Sequence, residues 1–308
     1  MARYTPPPKE YDPGLKFQLR QAVEGGDLLA EVRQESSRDP AGRRESVVLV
    51  HGFNNHQGEA GSAYFGFRDR QYQKAFPTLI PPAFEDILAD MFWPGDAAWG
   101  LFDVVDFLVY PAAVGTAREA APRLARHLRS MPNLLTVHFV GHSLGCRLVL
   151  ETIADLAQNG GPHVGKVCLM AAAVPIFKVQ EHGPLANAMR YAERVGILHS
   201  DKDPVLRYAF PPGQTVASGD EGFFPSALGL NGPVPDVPGK LDPFPIDGAH
   251  HGDYWGDSQR PPSRIAADRI AEFFKFAPWE RSIGNPQSGP EQREASAEPR
   301  EIGQVRTL

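Results

Sequence analysis

The sequence predicts an α/β protein with a mostly parallel central sheet, helices on both of its faces and an antiparallel hairpin at the start. Three observations predict it. Val47 to Val50 (VVLV), Leu134 to Val140 (LLTVHFV), Lys166 to Ala173 (KVCLMAAA) and Arg194 to His199 (RVGILH) are near-continuous apolar runs, as expected of strands buried on both faces of a parallel sheet. Helical segments alternate with these runs from position 47 to about 276. Before them, Lys16 to Val23 and Leu28 to Gln34 read as two short strands joined by the tight turn Glu24-Gly25-Gly26-Asp27.

The helices follow from their periodicity and their ends. Thr116-Ala117-Arg118-Glu119 has capping-box spacing and is followed by Ala117, Ala121, Leu124 and Leu128 on one face, with Pro122 weakening the first turn. Leu144 to Gln158 carries Leu148, Ile153 and Leu156 inward and stops at Asn159-Gly160-Gly161-Pro162. Ser263 is placed to cap a last helix with Ala266, Ile270, Phe273 and Phe274 on one stripe. Between positions 54 and 115 a helix and one more strand are needed; Ile87 to Trp93 is favoured over Val104 to Tyr110 because Trp93-Pro94-Gly95-Asp96 ends it cleanly. Residues 204–249 are crowded with Pro and Gly and read as a long surface loop with one edge strand near Lys240 to Ile246. The expected organisation is an N-terminal tail at 1–14, one domain over 15–279 with long loops at 54–115 and 204–249, and a polar, disordered tail at 280–308.

Composition narrows the function classes. The 308 residues hold 31 Lys plus Arg against 37 Asp plus Glu, a net charge of −6, which argues against a nucleic-acid binder or a basic membrane-surface protein. Gly 30 and Pro 30 exceed average usage of about 7% and 5%, so loops are abundant. Cys146 and Cys168 are the only cysteines, too few for a disulfide scaffold or a four-cysteine metal site; they fit a reducing compartment and a cytoplasmic address. Met1 to Gly14 has no apolar core of the signal-peptide kind, and no apolar run reaches membrane-spanning length.

The chemistry concentrates at Gly141-His142-Ser143-Leu144-Gly145, a G-x-S-x-G segment between an apolar strand and an amphipathic helix. A sharp strand-to-helix turn projects a Ser hydroxyl above the sheet edge, and flanking glycines let neighbouring chain approach. A glycine-rich turn with a solvated Ser is the bland alternative. With that context the sequence resembles the α/β-hydrolase superfamily, in its serine esterase and lipase branch, over about residues 16–276. Val47 to Asn55 (VVLVHGFNN) looks like the fold's third strand and oxyanion loop, and Gly141 to Gly145 looks like its nucleophile elbow.

The resemblance implies a role for each residue. Ser143 would be the nucleophile, and the backbone N–H groups of Phe53 and Leu144 would bind the oxyanion of an acyl-transfer intermediate. The acid should follow a later strand, where both Asp201 and Asp203 are in range; Asp203-Pro204-Val205 matches the frequent Asp-x-Val pattern, so Asp203 is taken and Asp201 is left as a turn residue. The base should precede the last helix, and His251-Gly252-Asp253-Tyr254 looks like a recurring His-x-Asp-Tyr ending, which favours His251 over His250. His138 and His142 read as packing residues. These roles describe hydrolysis of a small ester-like substrate without metal or organic cofactor. Acyl transfer on the same triad and a catalytically silent binding protein of the same fold stay open, whereas a nucleotide-binding protein lacks its glycine-rich loop. Tyr64, Phe65, Phe67, Phe92, Trp93, Phe210, Phe223, Phe224, Leu228 and Leu230 in the two long segments either line an apolar site under loops moving at Gly219, Gly222 and Gly229, or form a satellite core. The short connection after the Lys166 strand leaves no room for a large separate cap domain.

Overall fold

The computed structural model describes residues 14–23, 27–36, 42–53, 56–75, 87–95, 103–217, 220–256 and 258–274. All of them belong to one compact unit. The expected tails at 1–14, apart from Gly14, and at 280–308, most of the hairpin turn and Gly219 fall outside the described residues.

The elements run β1 (Leu15–Arg20), β2 (Leu28–Ser36), β3 (Glu45–Val50), α1 (Gln57–Ala75), β4 (Leu88–Phe92), α2 (Asp103–Ser130), β5 (Thr136–His142), α3 (Gly145–Asn159), β6 (His163–Met170), α4 (Ile176–Val179), α5 (Ala186–Tyr191), β7 (Arg194–His199), α6 (Phe210–Thr215), α7 (Leu228–Asn231), β8 (Leu241–Pro245) and α8 (Pro261–Phe274). The sheet order is β2-β1-β4-β3-β5-β6-β7-β8. Among the described sheet strands only β1 and β2 pair antiparallel; β1 with β4 and every later neighbour pair parallel. This mixed sheet with helices on both faces is an α/β-hydrolase fold.

The period of two assigns the faces. Val48 and Val50 of β3 join the core under α2 and α3 with Phe139, Val167 and Leu124, while Val47 and Leu49, equally buried, point to the other face. There α1 and α8 pack on each other and on β4 and β7. Central strands sealed on both sides have no polar face, which is why the apolar runs were readable as strands.

The expected strand at Ile87 to Trp93 is β4, and Val104 to Tyr110 lies in α2. The expected edge strand is β8, whose Pro243 and Pro245 cost little at a sheet edge. Three details correct the sequence reading. The helix expected from Thr116 begins at Asp103 and runs through Pro111 and Pro122; Thr116 bonds back to the Ala112 carbonyl at 3.1 Å instead of capping, and the buried stripe Ala113, Val114, Ala117, Ala120, Ala121, Leu124 and Leu128 outweighs the two prolines. Ser263 does not cap α8. The helix starts at Pro261, where a missing N–H is harmless, and the Ser263 hydroxyl is buried without a partner. Residues 204–249 are also more ordered than a loop, with a π-helical turn at Val205–Ala209 leading into α6, then α7.

Candidate active site

β5 and α3 meet at a strained corner. Ser143 has φ 52°, a left-handed conformation that costs a non-glycine residue about 1–2 kcal/mol. Its backbone holds the corner from both sides: the Ser143 N–H donates to the Met170 carbonyl at 2.9 Å, and the Ser143 carbonyl accepts from Ala173 and Cys146 at 3.1 Å each. Gly145 of the elbow and Gly52 of the loop facing it are there for contact distance. A Cβ at Gly145 would lie 2.3 Å from the His51 carbonyl oxygen, and one at Gly52 would lie 2.9 Å from the Ser143 Cβ. The G-x-S-x-G spacing therefore lets β3 pass directly against the elbow.

The corner places the Ser143 hydroxyl 2.8 Å from Nε2 of His251, whose Nδ1 is 2.7 Å from Oδ2 of Asp203. Asp203 is fully buried. Its other oxygen accepts the Val205 and Leu206 N–H groups at 3.0 and 3.1 Å, so the carboxylate is fixed in orientation. The structure leaves the two rival residues outside this chain. Asp201 is exposed beside Lys202, and His250 is exposed, with its backbone N–H donating to Asp253 Oδ2 at 2.8 Å and its carbonyl accepting the Asp253 N–H at 3.0 Å. Asp253 is buried, accepts from Ser258 at 2.7 Å and pairs with Arg260, which also donates to the Gly248 carbonyl at 3.1 Å. It thereby anchors the turn that carries His251.

His51-Gly52-Phe53 crosses in front of the elbow, braced by aromatics. Tyr64 accepts the His51 N–H at 2.8 Å and donates to the Met91 carbonyl at 2.5 Å. Trp93 stacks on the His51 ring with centroids 5.7 Å apart, and its indole N–H donates to the His51 carbonyl at 3.0 Å. Half-buried Phe53 sets its ring edge-on to Tyr110 at 5.5 Å, and Tyr110 in turn meets Phe210 at 6.5 Å. Leu144 sits at the N-cap of α3, and its N–H donates to no described residue, an orientation suited to an anion. Cys146 and Cys168 are free and buried, and burial pushes both thiols up, so neither supplies a thiolate beside the elbow.

The apolar list of the long segments divides. Tyr64, Phe67, Phe92, Trp93, Phe210 and Leu228 are buried packing, with Tyr64, Phe92 and Trp93 against the His51 ring, while Phe223 and Phe224 are exposed. Gly229 is no hinge, since a Cβ there would meet the Ala172 N at 2.1 Å. A buried ionic cluster went unread in the sequence. Arg147, one helical turn past Ser143, donates to both oxygens of Glu221 at 2.9 and 3.2 Å and to Glu151 at 2.7 Å. Lys178 lies 3.1 Å from Glu221, Gln214 donates to it at 2.5 Å, and the Tyr110 hydroxyl donates to Gln214 at 3.0 Å. The cluster ties α2, α4, α6 and the Glu221 loop to α3, the helix that follows Ser143. His138 bonds Glu45 at 2.6 Å and the Lys166 N–H at 2.8 Å, away from the site.

Among the described residues no group of three His, Cys, Asp or Glu is placed to hold a metal ion, and no helix is long and apolar enough to cross a membrane. No family model and no curated protein matches the chain. Solved structures that it resembles include an esterase of Pyrobaculum calidifontis, at 14% identity over 76% of each chain and TM-score 0.44. Carboxyl esterase 2 of Tuber melanosporum is similar at 12% identity over 88% of this chain and 89% of that one, TM-score 0.42. An esterase/lipase from an uncultured bacterium aligns at 12% identity over 83% of each chain, TM-score 0.39.

Proposed function

We propose that this chain, an α/β-hydrolase fold with a strained Ser at its strand-to-helix corner, is a serine hydrolase that cleaves an ester-like bond through an acyl-enzyme, in the carboxylesterase or lipase class. The observation that carries this reading is the continuous relay from the Ser143 hydroxyl through His251 to buried Asp203, at 2.8 and 2.7 Å. Ser143 Oγ attacks the carbonyl carbon while His251 Nε2 takes its proton; the tetrahedral oxyanion is met by the backbone N–H groups of Phe53 and Leu144. As the carbon–oxygen bond breaks, His251 returns the proton to the leaving alkoxide. Water then attacks the acyl-enzyme by the same route, and Asp203 holds the imidazole in the tautomer with hydrogen on Nδ1.

Two experiments test the reading. Asp203→Ala should lower kcat on the order of 10⁴-fold, because the base loses its orienting partner, while Asp201→Ala should change it by less than about twofold. The reverse ranking in steady-state kinetics would move the acid to Asp201. The half-buried rings of Phe53 and Tyr110, edge-on beside the loop and backed by Phe210, support an apolar acyl group. Accordingly, kcat/KM for p-nitrophenyl esters should rise about fourfold per methylene from acetate to butyrate. A steady fall from acetate onward would make these rings mere packing, and faster product formation with added alcohol acceptors would identify acyl transfer.

A further inference from the structure

We propose that His142, the residue before the nucleophile, is a positioning residue whose Nε2–H holds the backbone of His251, and with it the imidazole, in line between Ser143 and Asp203; the proposal rests on the hydrolase reading of that relay. His142 Nε2 lies 2.7 Å from the His251 carbonyl oxygen. A carbonyl only accepts, so the hydrogen is on Nε2. His142 Nδ1 is buried with no partner, and a hydrogen there would be an unsatisfied buried donor. The ring is therefore neutral with one fixed tautomer.

Its surroundings keep it so. His142 is buried against the rings of His251, Tyr254 and Trp255, with centroids at 5.0, 6.2 and 5.9 Å. The titratable groups acting on it are His251 from the turn before α8, Asp203 after β7 and His51 after β3; burial first, and then His251, push it down to about 3. Neutrality matters because His251 becomes an imidazolium during turnover, and a second cation at that distance would oppose it. The clamp also joins the two halves of the relay: His142 is covalently next to Ser143, so one hydrogen bond sets the height of the base over the nucleophile that follows it. Packing alone would need the ring and not its N–H, which separates the two roles.

His142→Gln keeps an N–H donor and loses the ring; His142→Phe keeps ring packing and loses the donor. The proton between His251 Nδ1 and Asp203 gives its own far-downfield ¹H NMR resonance while the bond is held and shielded. In His142→Gln that resonance should persist and kcat stay within about threefold, whereas in His142→Phe it should broaden away and kcat fall about tenfold at unchanged KM, the worth of one hydrogen bond in positioning. His142→Leu replaces the Phe variant should that one not fold, with Tm measured for all. An intact resonance and full kcat in His142→Phe, or an equal loss in His142→Gln, overturns the proposal. Should the wild type show the resonance but turn over no ester, the hydrolase reading fails, and the resonance in the two variants still decides the role of His142.

Discussion

Ser143→Ala is expected to lower kcat for ester hydrolysis on the order of 10⁴-fold or more, since the covalent route disappears while the oxyanion donors and binding contacts remain. The fold should survive the change. The elbow is held by the Ser143 backbone, through Met170, Ala173 and Cys146, and none of these bonds uses the hydroxyl. What is lost is one hydrogen bond to His251, about 0.5–1.5 kcal/mol of stability. Cys146 cannot substitute, because its thiol is buried and protonated. His251→Ala should match this loss in kcat without adding to it in the double variant, because nucleophile and base act as a unit. Steady-state kinetics of the two single variants and the double variant check this; additive losses would mean that the residues act independently.

Glu221→Ala is expected to be strongly destabilising. Glu221 is 2% exposed, and its two oxygens meet the cations of Arg147 and Lys178, which are 2% and 5% exposed. Removing it leaves Lys178 buried without its carboxylate and Arg147 with Glu151 alone, a loss on the order of 3–5 kcal/mol. For a domain of this size that is a fall in Tm on the order of 10 °C. The damage should reach activity, because Arg147 is on the nucleophile helix and Gln214 belongs to the segment that follows Asp203. A thermal melt checks the first point; a Tm within about 2 °C of wild type would show that the cluster contributes little beyond solvated ion pairs.

What the sequence revealed follows from what is local. Ser143 was legible because a strand, a glycine corner and a helix lie within twenty residues of one another, and each has its own periodicity. Asp203 and His251 are marked in the sequence only by short patterns and chain order, which is why Asp201 and His250 compete with them there; which of the four comes within hydrogen-bond reach of the Ser143 relay depends on burial and bond direction, and neither is written in a dipeptide. The start of α2 was misread because Thr116 and Pro122 are strong local signals, overruled by an apolar stripe whose value depends on α3 and β2 packing against it. Arg147 with Glu151 at i+4 is a visible helical pair, yet nothing near Glu221 in the chain announces that it closes the cluster. The braces on His51 from Tyr64 and Trp93, and the bond from His142 to the His251 carbonyl, are contacts across the sheet with no sequence period at all. The sequence marks His142 as a packing residue, and it does pack; the direction of its N–H is set by the turn that carries His251, 109 residues away.

The most direct measurement is peptide mapping by mass spectrometry after reaction with a fluorophosphonate, which phosphonylates a Ser only when a neighbouring base activates it. A single adduct on Ser143, absent in His251→Ala, is the predicted result. An adduct on another residue, or an unlabelled Ser143 in folded protein that hydrolyses esters, would contradict the assignment of Ser143 as the nucleophile.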